Sequence, residues 1–444
     1  MPAPGTAGES YWSMITEAPD PVRLRDTLRA QLPAAASEAV AAIVGATPAG
    51  AGVFAVGGSI RDLLLGRPIV DLDLTLEGDA PTILRTALPR ARITGHARFG
   101  TASTVARGFR IDVAAARTET YARPGAQPTT THAGIEADLA RRDFSCNALA
   151  LRLNGEATLL DPSGGIADIE ARRIRVLHDR SFIDDPTRVF RAFRYAARLE
   201  FVIEPRTASL LASGLPYLRT VSGERLRREV ELMLADTPPG AAVEAAHTAG
   251  ALQALHAALH WSAAKSVAYA AGGVADRERV PYGFALLASG ASPEQAEKLV
   301  RRLRLKRDEA AAVRGIAALR AVSDLLRRPG LKPSGAAMLL DRYPRAAIGA
   351  YARTTGNAIA RAIMLRYLDE WRDARPILNG RDLIEMGVPE GPQIQRGLQL
   401  VRAARLDGWA HDRDDERALI LRFAKSIRDS AAAHSMVEFE PGSE

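Results

Sequence analysis

Residues 53–76, V-F-A-V-G-G-S-I-R-D-L-L-L-G-R-P-I-V-D-L-D-L-T-L, constrain this chain more than any other stretch. Val53 to Val56 reads as a short buried strand. Gly57-Gly58 lets the backbone turn sharply and another group approach closely. Ser59 to Leu65 reads as one or two turns of helix, closed by Gly66. Val70 to Leu76 alternates apolar and acidic residues with the period of a strand, so Asp71 and Asp73 point to one face. Two such carboxylates repel unless a cation sits between them, and hard oxygen ligands favour Mg²⁺. The Gly-Gly turn opens a helix N-terminus that offers N–H groups to an anion, and Arg61 in its first turn could fork onto a phosphate. Metal ligands and an anion cradle this close together suggest nucleoside triphosphate chemistry. D-x-D alone reads more readily as a solvated face, since the pattern is common by chance; the G-G-x-x-R-D just upstream turns the balance to the metal reading.

The chain's 444 residues imply two to four domains, and 47% apolar residues exclude wholesale disorder. No apolar run reaches transmembrane length and no signal peptide is expected, so no membrane partner is expected either. A single cysteine, Cys146, excludes a disulfide framework and a cysteine zinc site, and a cytoplasmic location is the expectation. The formal charge of +7 suits a polyanionic partner. The sequence carries no signal of oligomeric state.

Residues 1–20 are expected to be disordered, as is 431–444 at the other end. Pro21 to Gly45 has helical spacing with a break at Pro33, and Asp79 to Leu88 reads as a helix capped by Asp79. Strands follow at 92–97, 101–106 and 109–115, with a turn at Phe99-Gly100. Asp112 sits among apolar neighbours in the third; it either completes a metal site with Asp71 and Asp73 or pairs with Arg110 or Arg117. Tyr121 to Gly134 lacks periodicity and reads as a functional loop or a disordered one, with His132 an exposed loop residue in it. Glu136 to Leu151 reads as an amphipathic stretch with Leu139, Phe144, Ala148 and Leu149 on its apolar side. Beyond Phe182 the period is 3.6 throughout, in helices from 184–199 and 222–235 to 411–428.

Two further motifs carry chemistry. Arg141-Arg142-Asp143-Phe144 reads as heading a helix turn, with Asn147 four residues after Asp143. Asp143 could hold one arginine towards a triphosphate, or the two arginines could form plain surface ion pairs with the flanking Asp138 and Asp143. In F-I-D-D-P-T-R-V-F-R-A-F-R-Y-A-A-R-L (182–199), Asp184 or Asp185 caps a helix on which Arg188, Arg191, Arg194 and Arg198 form one stripe. Such a stripe without interleaved acid calls for an anion, unless it is a solvated basic face.

Together these motifs resemble the class II tRNA nucleotidyltransferases and bacterial poly(A) polymerases. The elements that carry the resemblance are V-G-G-S-I-R-D-L-L-L-G-R, D-L-D-L, R-R-D-F-S-C-N-A-L, D-D-P-T-R-V-F-R-A-F-R and the neck element S-G-E-R-L-R-R-E-V-E-L at 222–232. Near the end, N-G-R-D-L-I-E-M-G-V-P-E-G-P-Q-I resembles the family's tail element. The resemblance implies an α+β chain: a polymerase-β-like nucleotidyltransferase head with a small mixed sheet (21–180), then an all-helical neck (181–236), body (237–343) and tRNA-binding tail (344–430).

It also implies roles. Asp71 and Asp73 would bind two Mg²⁺ ions; Asp112, from its place in the strand, is the third candidate catalytic carboxylate. Gly57, Gly58, Arg61, Arg141, Arg142 and Asn147 would hold the nucleotide, CTP or ATP. Asp185 and Arg188 would read its base without a nucleic-acid template, and Arg191 and Arg194 would reach phosphates or sugar. A carboxylate accepts and a guanidinium donates, so the pair fits cytosine and adenine and refuses uracil and guanine. Most relatives carry Glu where this chain has Asp184, and many that add C, C and A carry a more charged segment at 121–134. A specialist adding only C-C or only A therefore stays open, as does a poly(A) polymerase. tRNA is the expected partner. Lys298, Arg301, Arg302, Arg304, Lys306 and Arg307 either track its backbone or form a solvated helix end. Trp261, Trp371 and Trp409 are expected in the core.

Overall fold

The computed structural model describes residues 19–437 except 97–99, 237–239 and 273, with burial described to residue 430. Residues 1–18 and 438–444 of the expected disordered ends, and Phe99 of the expected turn, lie outside the described residues. The chain forms two compact units that divide between Leu255 and His256. The helices at Ala241–Thr248 and Ala251–Leu255, read from the sequence as the start of the body, therefore belong to the first unit.

In the first unit, α1 (Pro21–Gln31) and α2 (Ala34–Ala46) separate at Pro33 and bury Leu24, Leu28, Val40 and Ile43. Strand β1 (Val53–Val56) is buried on both faces, α3 is Gly58–Leu64 and β2 is Asp71–Leu76. Helix α4 (Ala80–Ala87) is capped by the Asp79 side chain, which accepts from the Thr82 N–H. Strands β3 (Thr94–His96), β4 (Thr101–Ala106) and β5 (Phe109–Ala115) follow. Next come β6 (Arg117–Thr120), β7 (Thr129–His132), α5 (Ile135–Ala140), β8 (Ala150–Arg152) and β9 (Leu159–Leu160). The seven-stranded sheet has the order β3-β4-β5-β2-β1-β8-β9. β2 and β5 run parallel and their other neighbours antiparallel, so the sheet is mixed.

Three local readings change. The 121–134 stretch is not all loop: β7 pairs antiparallel with β6, and exposed His132 stands opposite Arg117. The stretch from Glu136 to Leu151 is not one helix. Helix α5 ends at Ala140, a 3₁₀ turn covers Ser145–Asn147, and β8 takes the remainder. Its apolar residues Leu139, Phe144, Ala148 and Leu149 are nonetheless fully buried. The third change is at Pro186. After α6 (Gly165–Glu170), α7 covers Ser181–Asp184 and α8 begins only at Arg188. Asp185 is extended (φ −128°, ψ 90°), as a residue before proline prefers. Its carboxylate accepts from the Thr187 N–H and hydroxyl from outside the helix. Helices α9 (Pro205–Gly214) and α10 (Gly223–Ala235) complete the neck, and α8 packs on α10.

The second unit is helical. Asp276–Leu287, Arg307–Leu325 and Arg345–Thr354 pack on one another. Leu378, Leu383, Val388, Val401, Ile420 and Ala424 form a separate core near its end, and the last helix runs Arg413–Val437, beyond the expected 428. Trp261 and Trp371 are buried as expected; Trp409 is 65% exposed, with Lys332 Nζ 4.1 Å from its ring centre. Among the described residues, no helix is long and apolar enough to cross a membrane.

Candidate active site

The alternation of β2 does what its period requires. Leu72 and Leu74 are buried, while Asp71 and Asp73 share the half-exposed face. Parallel pairing with β5 sets Asp73 opposite Asp112 and Asp71 opposite Arg110. Burial first, then the neighbouring charges of Asp71 and Asp112, push the Asp73 carboxyl up to about 6. Arg110 donates to Asp112 at 2.6 Å and lies 4.0 Å from Asp71, and the Ser103 hydroxyl donates to Asp112. Asp112 thus pairs with Arg110, as one of its two readings has it, and stands in register with Asp73, as the other needs.

No cluster of three or more His, Cys, Asp or Glu side chains in a metal-holding arrangement occurs among the described residues. Asp71 and Asp73 fit a hard divalent cation by the chemistry of the pair: oxygen donors on one face, with a carboxylate whose charged form its neighbours disfavour.

A cavity of about 940 Å³ opens beside this strand pair. Its walls include Gly57, Gly58, Asp73, Asp112, Arg141, Arg142, Asn147, Asp185, Arg188 and Arg191. Gly57 has φ +67°, and a Cβ there would meet the Arg142 guanidinium at 2.8 Å, so the arginine needs the glycine's bare backbone.

Of the two acids that flank them, Asp138 and not Asp143 holds Arg141 and Arg142. Asp138, fully buried, accepts from Arg141 at 2.6 and 2.9 Å and from Arg142 at 2.9 Å. Asp143 instead takes a two-pronged contact from Arg191 at 2.6 and 2.9 Å and the Asn147 amide at 3.0 Å. Burial alone would raise the Asp143 carboxyl; Arg191, the Asn147 hydrogen bond and Arg188 hold it down at about 2.

Arg61 does not line the cavity. It is 1% exposed and donates twice to its neighbour Asp62, at 2.9 and 3.0 Å, and once to Asn147 Oδ1. Its guanidinium is committed to Asp62 and Asn147 behind the cavity wall. Nor does Arg194 line it: the guanidinium lies 3.8 Å from Asp236 and stacks on the Tyr195 ring at 5.0 Å. The arginine stripe of α8 is thus compensated by protein groups, with Arg198 3.6 Å from Asp62. Arg188 is buried and donates to the Ser181 hydroxyl at 2.7 Å and the Arg141 carbonyl at 2.6 Å.

Sequence reasoning missed Glu119, Tyr121, Arg225 and Glu229, all of which line the cavity. Glu119 binds Arg141 at 2.8 Å and Tyr121 at 3.0 Å. Glu229 is buried, and its Oε2 has no hydrogen-bond partner. The spacing of the E-R-x-x-x-E element was the available signal for Arg225 and Glu229. In the basic cluster of the second unit, Lys298 pairs with Glu294 at 2.8 Å and Arg301 with Glu297 at 3.3 Å. Arg304 ends the first of the two helices there in the left-handed region (φ 49°), and Lys306 and Arg307 open the next.

Comparison with known proteins agrees with this geometry. Residues 53–175 match the family described as Poly A polymerase head domain, and residues 200–260 match one described as Probable RNA and SrmB- binding site of polymerase A. An A-adding tRNA nucleotidyltransferase of Geobacter sulfurreducens is 34% identical over 84% of this chain, although the chain spans only 45% of that relative's length. One of Halalkalibacterium halodurans, also A-adding, is 30% identical over 84% of this chain and 88% of its own. A CC-adding tRNA nucleotidyltransferase of Deinococcus radiodurans is 32% identical over 82% of this chain and 87% of its own. The solved Thermotoga maritima CCA-adding enzyme complexed with tRNA covers 90% of this chain and 98% of its own, with a TM-score of 0.69 and 25% identity. Head, sheet and cavity define a nucleotidyltransferase. The chain belongs to the family of tRNA nucleotidyltransferases and bacterial poly(A) polymerases.

Proposed function

We propose that this protein adds CMP and AMP to the 3′ ends of tRNA, from CTP and ATP and without a nucleic-acid template. The observation that carries the reading is that one cavity is bordered both by Asp73 and Asp112 and by Asp185 and Arg188. Relatives named for A, CC and CCA addition support it.

In this reading the primer 3′-oxygen displaces pyrophosphate from the α-phosphorus. Two Mg²⁺ ions held by Asp71 and Asp73 would supply activation of that oxygen and neutralisation of the triphosphate. Arg141 and Arg142, fixed by Asp138, offer guanidinium forks to the phosphates. Asp185 accepts the amino group of cytosine or adenine, and Arg188 donates to the ring nitrogen. Uracil and guanine leave buried groups unpaired at ~1–3 kcal/mol each. Arg61 and Arg194 act from behind the cavity, and Asp112 tunes the metal-side charge through Arg110. The helical unit beyond His256 holds the tRNA, and a cytoplasmic location belongs to the same reading.

A second reading, a specialist that adds only C-C or only A, is favoured by one observation. Arg123 is the only charged side chain from Tyr121 to Thr131, where a charged segment accompanies full CCA addition in the family. One experiment tests both: tRNA lacking its terminal triplet, and tRNA ending in CC, each incubated with CTP, with ATP and with both. Three residues added only when both nucleotides are present supports the first reading. A single A on the CC-ended tRNA with no use of CTP, or two C on the shortened tRNA with no use of ATP, supports the second. A long A ladder would overturn both in favour of poly(A) synthesis.

A further inference from the structure

Forty positions separate Asp185 from Arg225, yet the two meet: the Arg225 guanidinium donates to Asp185 Oδ1 at 2.7 Å. Its other terminal nitrogen donates to the carbonyl of Gly125 at 3.0 Å. The same Oδ1 accepts the Thr187 N–H at 3.1 Å and the Thr187 hydroxyl at 2.6 Å. Three donors on one oxygen exhaust its capacity and leave Oδ2 as the atom through which Asp185 can meet a ligand. The loop side is as closely fitted. Gly125 has φ +71°, and a Cβ there would clash with Thr220 Oγ1. Its N–H donates to the Asp184 carbonyl at 3.3 Å. The segment after Tyr121 is therefore pinned on both sides of the acid that borders the cavity.

We propose that Arg225 is a positioning residue for base choice: it fixes Asp185 so that Oδ2 faces the base, and through Gly125 it makes that fixing depend on the 121–128 segment. This rests on the proposed function, because it assigns Asp185 to the base. A carboxylate held by one rotamer presents one acceptor at one place. Freed to turn, it can offer either oxygen or recruit water, and bases that present a carbonyl and a ring N–H in place of an amino group and a ring nitrogen are then rejected less well. A guanidinium has the planar, two-sided fork for this task; an ammonium can face only one of the two partners well.

The test compares R225M and R225K with wild type, measuring kcat/KM for CTP, ATP, UTP and GTP on a tRNA the wild type extends. Loss of a charge-assisted hydrogen bond predicts that R225M loses preference for the accepted nucleotide over UTP or GTP by about ten- to a hundredfold. R225K should lose less. Hydrogen exchange of residues 121–128 should quicken in both variants. An equal fall in kcat/KM for all four nucleotides, or no change, would show Arg225 to be merely structural and overturn the proposal. If the wild type extends no tRNA, the function reading fails separately. The exchange arm still decides the loop tie, since unchanged exchange in soluble R225K overturns it. Should R225M not fold, R225K carries the comparison, with the same ratios and the same overturning results.

Discussion

Asp73 and Asp112 stand opposite each other in register on parallel neighbouring strands, one on β2 and one on β5, and both border the same cavity. Arg110 is the cation between Asp112 and Asp71. A carboxylate group of this density is unfavourable for folding and favourable for cation capture.

Asp71→Ala should therefore abolish nucleotide addition, by at least ~10³-fold, while leaving tRNA affinity within about twofold. The split follows from placing RNA binding in the helical unit rather than at the strand pair. Gel-shift titration of tRNA beside a turnover assay checks it. Matching losses in both would show that the strand pair also holds RNA.

Arg188→Ala should relax base choice more than it weakens triphosphate binding. Arg188 is anchored at both ends, by the Ser181 hydroxyl and the Arg141 carbonyl, so its position does not depend on a ligand. The unpaired-group penalty of ~1–3 kcal/mol corresponds to about a 5- to 150-fold loss of discrimination against UTP. Unchanged refusal of UTP would mean that the base is read elsewhere.

The extent to which these features were legible in the sequence depends on their range. The alternation in β2 and the i, i+3 spacing of α8 are local, and they placed Asp71, Asp73, Arg188 and Arg191 on the correct faces. Asp138 was equally legible, standing three and four residues before Arg141 and Arg142, but adjacent Asp143 drew the assignment. The burial of Arg61 was not legible, because a first-turn arginine next to a glycine pair looks open, whereas Asp62 closes on it from the next position. β7 escaped notice because T-T-T-H has no apolar alternation; it is held by pairing with β6. The Asp185–Arg225 and Asp143–Arg191 contacts depend on tertiary packing that no local period encodes.

Asp138→Asn should weaken nucleotide affinity without touching metal dependence. It leaves Arg141 and Arg142 without their shared counter-charge. Arg141 keeps Glu119 at 2.8 Å, while Arg142 keeps only long contacts to the Asn147 carbonyl and Thr75. A rise in KM for CTP or ATP of about tenfold is expected, with the Mg²⁺ concentration for half-maximal rate unchanged. A shift in the metal requirement instead would place the arginines' role at the metal side.

Acid stability provides a test of the Asp143–Arg191 pair. The folded-state carboxyl of Asp143, at about 2, lies below its ordinary 3.8, so charged Asp143 stabilises the fold. That contribution is fully present above the unfolded value and fades as pH falls from 3.8 through about 2. Its size follows from the displacement, about 2 kcal/mol. Denaturant unfolding of wild type and Asp143→Asn at a series of pH values isolates it from the other carboxylates. The wild-type advantage should hold from about neutrality down to about pH 4 and shrink by about 2 kcal/mol below that. A constant gap across the series would mean that Asp143 is not held below its ordinary value, and the Arg191 contact would then contribute through shape rather than charge.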